Sequence, residues 1–315
     1  MAELSVIVPY VNEWPQGAFT IASIAEELRD EVDFEILAVD NYVHGPDTGN
    51  NPADKLKEHL DAIAKGTPWL KSLQYNDKLS HWQAKNHAVQ NSTGKFLWFC
   101  DSHCIVSKGA LVRMFNYYKE HHEELNGTLH LPLTYHVLEY RRLIYKLVNE
   151  IEKGVVQYSF TGFKPSDQPY RMPCMSTCGM MMSRDLYDLL GGWPTEMGIY
   201  GGGEHFVNFT LAILGKTINI WPDHPLRHHG DKRGYSWRYD DYHRNRMVAT
   251  FMFGGKDLLY KYAKNCKGDK ATLHGMAKRV ESLCKDQRAY IAQNQKLLIQ
   301  EWLEEIVKPG VCGPK

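Results

Sequence analysis

Three short, mostly apolar runs pace the first third of the chain, Leu4 to Val8, Phe34 to Val39 and Phe96 to Cys100, with a candidate third strand, Leu70 to Tyr75, between the last two. Helical spacing fills the gaps between them. Residues 16 to 29 place Phe19, Ile21, Ile24, Ala25 and Leu28 at helical intervals, and Pro52 to Ala64 does the same with Leu56, Leu60 and Ile63. His81 to Gln90 reads as a third helix, stopped near Gly94. Strands that alternate with helices pair in parallel, because each crossover returns the chain to the same end of the sheet. Continuous rather than alternating apolar runs predict strands covered on both faces. The class is therefore α/β, with a mostly parallel central sheet flanked by helices. Ligands of such sheets sit beyond the carboxyl ends of the strands. Three of those ends are polar here: Asn12-Glu13, Asp40-Asn41 and Asp101-Ser102-His103.

The last of these carries the most chemistry. Side chains two apart on an extended strand share a face, so Asp101 and His103 would meet one ion if the chain stays extended. Carboxylate oxygen with imidazole suits Mn, Fe or Zn better than calcium, which takes oxygen alone. The competing reading is a strand end with a turn-forming Asp and a surface His.

Beyond position 104 the pattern loosens. Gly109 to Glu124 reads as a helix, 128 to 138 and 172 to 183 as strands, and 153 to 172 as a loop rich in aromatics, Gly, Pro and Ser. Six glycines in the thirteen residues from Gly191 to Gly203 exclude a regular element there. A helix from Glu204 to Leu214 and a strand from Thr217 to Trp221 follow. The tail from Ala271 to Ile306 is largely helical, with Met276, Val280, Leu283, Ile291, Leu298 and Trp302 broadly on one face.

A net charge of +0 argues against a strongly basic nucleic-acid binder. No stretch approaches the ~20 apolar residues of a membrane span, and Met1 to Val8 lacks the basic region of a secretory signal. A soluble, cytoplasmic protein is the expectation. The seven cysteines form no regular framework, so reduced thiols are the default; Cys174 and Cys178 alone are a weak zinc signature.

These residues together resemble the family-2 glycosyltransferases and the related polypeptide N-acetylgalactosaminyltransferases, both of GT-A fold. Ser5-Val6-Ile7-Val8-Pro9-Tyr10-Val11-Asn12-Glu13 is similar to the family's first strand and donor-contact turn, and Asp40-Asn41 stands where an acid meets the nucleotide base. Trp82 to Val89 with Thr93-Gly94-Lys95 is similar to the family's "A-R-N-x-G…A-x-G" helix, with Lys85 in the Arg position. Asp101-Ser102-His103 takes the place of the DxD metal motif in its DxH form. Cys178-Gly179-Met180, Gly191-Gly192-Trp193 and Gly202-Gly203-Glu204-His205 follow the family's acceptor-side order, and Arg227-His228-His229 resembles the late histidine that completes the metal site. The likeness runs from about residue 4 to 255 and leaves the last sixty residues outside it. It implies a donor-binding half over 1–104, an acceptor-binding half over 105–255 and a helical C-terminal extension over 256–315.

The resemblance implies transfer of a sugar from a nucleotide diphosphate sugar, most simply a UDP-sugar, to a hydroxyl. The cofactor would be a divalent cation, manganese or magnesium, held by Asp101, His103 and one of His228 and His229, with His228 preferred. Pro9, Tyr10, Asn12, Glu13, Asp40, Asn41, Lys85 and Ser102 would contact the donor. Asp40 would accept from the base imide or cap a turn, Asn12 and Glu13 would hold base or ribose or open the next helix, and Lys85 would reach the diphosphate or lie exposed on its helix. Glu204 opens a helix after three glycines, so it is either a capping acid or a contact to a sugar or acceptor hydroxyl. Inverting members carry an acid, the general base, after this Glu, whereas retaining relatives carry an amide. His205 is neither, so Glu204 and His205 both stand as proton acceptors and the stereochemical outcome stays open.

The stretch 227 to 246 interleaves Arg227, Lys232, Arg233, Arg238, Arg244 and Arg246 with Tyr235, Trp237, Tyr239 and Tyr242. Read as a loop beside the metal, it would close over the diphosphate, with Arg233 and Tyr235 on the donor, or bind a phosphate-bearing acceptor. A glycan precursor, a protein side chain and a hydroxymethylated pyrimidine of phage DNA all remain as acceptors. The rival functions are a nucleotidyltransferase, for which the turn after the first strand lacks a phosphate loop, and a non-catalytic sugar- or nucleic-acid-binding module on the same fold.

Overall fold

The computed structural model describes residues 2–45, 55–139, 141–230 and 235–314. The first half follows the expected alternation. Strand β1 (Leu4–Tyr10), helix α1 (Gln16–Leu28), β2 (Phe34–Asp40), α2 (Lys55–Ala64), β3 (Leu70–Gln74), α3 (His81–Gln90) and β4 (Phe96–Phe99) form the parallel core β3-β2-β1-β4. Every residue of β1 and β2 is buried, as continuous apolar runs require. Residues 52–54 of the second expected helix lie outside the described residues. Phe19, placed on the apolar face of α1 by its spacing, is 61% exposed; Ile21, Ile24 and Leu28 carry the contact with the sheet.

After β4 come β5 (Cys104–Ile105), α4 (Ala110–Leu125), β6 (Gly127–His130), β7 (Leu133–Thr134), β8 (Leu143–Glu150) and β9 (Val155–Gly162). Next follow β10 (Tyr170–Met172), β11 (Met180–Ser183), α5 (Arg184–Leu190), α6 (Gly203–Ile213), β12 (Thr217–Ile220) and β13 (Leu226–His228). Helices α7 (Tyr239–Asn265), α8 (Lys270–Leu283), α9 (Lys285–Asn294) and α10 (Ile299–Ile306) end the chain. The central sheet has the order β10-β12-β6-β11-β4-β1-β2-β3. Four of its seven pairings are parallel, and β10 and β11 run antiparallel to their neighbours.

A second, five-stranded sheet, β5-β13-β7-β8-β9, has no counterpart in the sequence reading. The strand expected over 128–138 divides between the two sheets as β6 and β7, turning at Pro132. Only Met180–Ser183 of the strand expected over 172–183 is one element, because Gly179 takes φ 78°. Within the loop expected over 153–172, residues 155–162 are the second arm of the β8–β9 hairpin, whose Tyr145 and Tyr158 rings stack 4.1 Å apart, and 170–172 are β10. The basic, aromatic stretch is no loop from Tyr239 onward but the start of α7, which breaks at Gly255 with φ 70°. The C-terminal helices share the core of the sheet: Trp302 of α10 packs edge-on against Phe209 of α6, 5.8 Å between ring centres. Leu283 and Leu298, expected on the packed face, are 50% and 57% exposed.

Candidate active site

The carboxyl ends of β1, β2 and β4 open into a cavity of about 380 Å³. Its near wall comes from the first half of the chain and its far wall from the hairpin, α6 and α7.

Asp101 and His103 do meet there, though not on an extended strand. The chain turns over 101–103 between β4 and β5. Thr20 of α1 pins this turn: its hydroxyl donates to the Ser102 carbonyl at 2.8 Å and accepts from the Cys104 N–H at 2.9 Å. Thr20 is fully buried and lies outside every motif, and only its polarity on an otherwise apolar helix face marked it. Thr20→Val orphans both backbone groups and is expected to cost about 1–3 kcal/mol in urea denaturation.

The third candidate ligand arrives through strand register. β5 pairs antiparallel with β13, setting His228 opposite Cys104, next to His103. Neighbours on a strand face opposite ways. His228 therefore points at Asp101, its Nε2 3.5 Å from Oδ2, while the His229 ring turns to His136, 5.6 Å between ring centres. The Nε2 atoms of His103 and His228 are 3.2 Å apart. One carboxylate oxygen and two ring nitrogens lie within 4.8 Å of one another.

The donor set fits a divalent cation. His103 Nδ1 lies 3.2 Å from the Glu13 carboxylate. A proton on Nδ1, assigned from this partner, leaves the Nε2 lone pair facing the site, the usual carboxylate support of a metal-binding imidazole. Burial penalises charge on His103, but Glu13 and Asp101 outweigh it and raise its pKa. Burial also opposes the Asp101 carboxylate, yet His228 and Lys85 hold its pKa well below the usual range. Lys85 is buried, not exposed: its Nζ sits 3.9 Å from Asp101 and 4.6 Å from the centre of the Trp82 ring.

Of the other expected donor contacts, Pro9, Tyr10, Ser102 and Tyr235 line the cavity; Asn12 and Asp40 do not. Asp40 accepts from the Tyr42 N–H at 3.1 Å, a turn cap at the end of β2. Asn41 reaches the wall, but its amide is spent on the backbone: it donates to the carbonyls of Tyr75 and Lys78 and accepts from Ser80 N–H. Glu13, expected at base or ribose, faces His103. Arg233 and Lys232 lie outside the described residues. Arg227 donates to the Val137 carbonyl at 3.2 Å, and Arg244 pairs with Asp241 on its own helix.

Glu204 and His205 share the start of α6 but have different surroundings. A Cβ on Gly203 would fall 2.3 Å from the Trp82 ring, so the glycine lets the helix start press on α3 rather than on a substrate. Glu204 faces the cavity and accepts from the Thr177 hydroxyl at 3.3 Å. Burial raises its pKa against the pull of its own backbone N–H and of Lys85. His205 lines the same cavity, but its Nε2 lies 2.9 Å from Arg246 Nη2. A guanidinium only donates, so this nitrogen accepts and the proton sits on Nδ1. Burial, then Arg246, push its pKa well below the usual value, and the neutral ring has no lone pair left for a substrate proton.

Sequence reasoning missed the hairpin wall, including Gln157 and Tyr158. Its signal was present in the alternation of Val156, Tyr158 and Phe160 with Gln157, Ser159 and Thr161. The Cys174–Cys178 pairing does not form: Cys178 Sγ lies 3.6 Å from Cys104 Sγ, and Cys100 completes a buried cluster of free thiols.

The family model for glycosyl transferase family 2 matches residues 5–191. The chain belongs to glycosyl transferase family 2. Polypeptide N-acetylgalactosaminyltransferase 5 of Caenorhabditis elegans is 23% identical over 304 residues, which span 91% of this chain and 47% of that protein. This chain thus spans about half the length of that curated relative. The crystal structure of GalNAc-T7 with UDP, GalNAc and Mn2+ aligns at a TM-score of 0.68 and 16% identity, over 97% of this chain and 56% of that one. The mannosyltransferase PcManGT from Pyrobaculum calidifontis, in complex with GDP-Man and Mn2+, aligns at 0.51 and 17% identity, over 96% and 79%. The family-2 chain therefore has the GT-A architecture: a mixed α/β sheet flanked by helices, with a helical C-terminal region.

Proposed function

We propose that this family-2 chain is a metal-dependent glycosyltransferase that moves a sugar from a nucleotide diphosphate sugar, a UDP-sugar first, to a hydroxyl acceptor. The observation that carries the reading is the convergence of Asp101, His103 and His228, with Lys85 alongside, at the carboxyl ends of parallel strands. Relatives whose structures hold UDP or GDP-mannose with Mn2+ support it. Residues 1–104 supply the donor side of the cavity and 105–255 the acceptor side.

Asp101, His103 and His228 would hold manganese or magnesium, which when bound supplies a Lewis acid for the charge that develops on the departing diphosphate. Glu13 keeps the His103 ring in its accepting tautomer. Lys85 brings a further positive charge to the same place, buried where water screens it little. Glu204 takes the proton of the attacking hydroxyl, since burial raises its basicity while its oxygens face the cavity. His205 takes no part in proton transfer, its Nε2 lone pair being taken up by Arg246. No described helix is long and apolar enough to cross a membrane.

The test is release of UDP from a panel of UDP-sugars with and without Mn2+. Turnover is expected with Mn2+, falling to background in EDTA and returning when Mn2+ is restored. Full turnover in EDTA would reject the metal-dependent reading.

A further inference from the structure

The far wall of the cavity carries a cation that no part of the reaction above uses. Arg246 of α7 donates Nη1–H to the Tyr242 hydroxyl at 2.6 Å, and Nη2–H to Gln157 Oε1 at 2.7 Å and to His205 Nε2 at 2.9 Å. All three acceptors are neutral. Among the described residues no carboxylate lies within ion-pair distance of this guanidinium, whereas neighbouring Arg244 is paired with Asp241. Two of its five N–H donors stay unassigned. A half-buried, preorganised guanidinium, 5.2 Å from the centre of the Tyr242 ring and without a carboxylate partner among the described residues, is matched by a planar or tetrahedral anion.

Arg246 also lines both the catalytic cavity and a second, of about 600 Å³, with Gln157, Tyr200 and Tyr242 common to both. Aromatic rings line the second. Trp237 lies 4.6 Å from Tyr200, which stacks on Tyr242 at 5.9 Å, and Trp237 and Tyr239 are 42% and 53% exposed. Flat, exposed rings pack against the C–H face of a sugar ring while its hydroxyls reach polar neighbours.

We infer that the acceptor is an anionic saccharide, its phosphate or carboxylate held by Arg246 and its ring against the exposed indole of Trp237. The inference rests on the glycosyltransferase reading and names the acceptor class. A nucleic acid fits less well. Its backbone needs many cations in line, yet the chain is neutral, Arg244 is neutralised by Asp241, and Arg227 is turned to a backbone carbonyl.

The test has a binding arm and a turnover arm, both on the full chain with UDP and Mn2+. Titration calorimetry compares N-acetylglucosamine, N-acetylglucosamine 6-phosphate and glucuronic acid. The charged sugars are expected to bind about ten-fold or more tighter than the neutral one. Arg246→Gln should collapse that ratio toward one, and Arg246→Lys should keep part of it. The two charged probes separate phosphate from carboxylate. In the turnover arm, longer saccharides carrying each group compete with a single-stranded DNA oligonucleotide and an acidic peptide, and the charged saccharide should show the highest kcat/KM. Equal binding of charged and neutral sugars, an unchanged ratio in Arg246→Gln, or preferred transfer to DNA or peptide overturns the inference. No turnover of any UDP-sugar by the unaltered chain rejects the glycosyltransferase reading instead, and the binding arm still decides this one.

Discussion

Replacing Asp101 with alanine is expected to lower Mn2+-dependent release of UDP by about a thousand-fold or more. Asp101 is the only carboxylate among the three converging candidate ligands, 3.5 Å from His228 and 3.9 Å from Lys85. Its removal leaves two imidazoles and a buried ammonium around an uncompensated hole. The remaining donors are all neutral or cationic, so a divalent cation loses its one anionic protein ligand. The Lewis-acid contribution, worth several kcal/mol, goes with it, and each 1.4 kcal/mol is about ten-fold in rate. The side chain is partly exposed at the cavity wall and holds no core packing, so the fold should survive. Mn2+ binding followed by electron paramagnetic resonance, beside a thermal melt, separates lost metal from lost structure. A folded variant that keeps turnover within ten-fold removes Asp101 from the metal site.

Glu204→Gln is expected to lower transfer by about 10²–10⁴-fold, the range for a positioned general base. Glutamine keeps the shape and can still accept from Thr177, so only the proton-accepting charge is lost. The pH profile gives the sharper test. Burial raises the pKa of Glu204, so its carboxylate protonates at a higher pH than an exposed glutamate. Activity that needs the carboxylate is present above that raised pKa and falls as pH drops through it. The acid limb of kcat/KM should therefore lie above the ordinary glutamate range and vanish in Glu204→Gln. An acid limb that persists unchanged in the variant would assign the base to another group.

Parallel β1, β2 and β4 were legible because both their faces are buried, so each run is mostly apolar and ends at polar residues, whereas the edge strand β3 is half-buried and carries Lys71, Ser72 and Gln74. The Asp101-x-His103 ligand pair was legible for the same reason, since a buried strand cannot carry such residues unless it stops. The β8–β9 hairpin was harder to read. Gln157, Tyr158 and Phe160 of β9 line a cavity, so its aromatics mix with Gln157, Ser159 and Thr161 and read as a loop. The first turns of α7 were masked similarly: Tyr239, Tyr242 and Arg246 face a cavity rather than the core, and the apolar helical period starts only at Met247.

The sequence by itself determined the α/β alternation, the polar strand ends and the set of groups able to bind a cation, because these follow from local periodicity and side-chain chemistry. Only the tertiary structure decided which of them meet. His228 rather than His229 faces Asp101 because β13 pairs with β5 in one register, and a slip of one residue would exchange them. Glu204 rather than His205 stays available to a substrate because Arg246, some forty residues further on, occupies the imidazole lone pair. Register and long-range hydrogen bonds join residues distant along the chain, and local pattern carries no record of them.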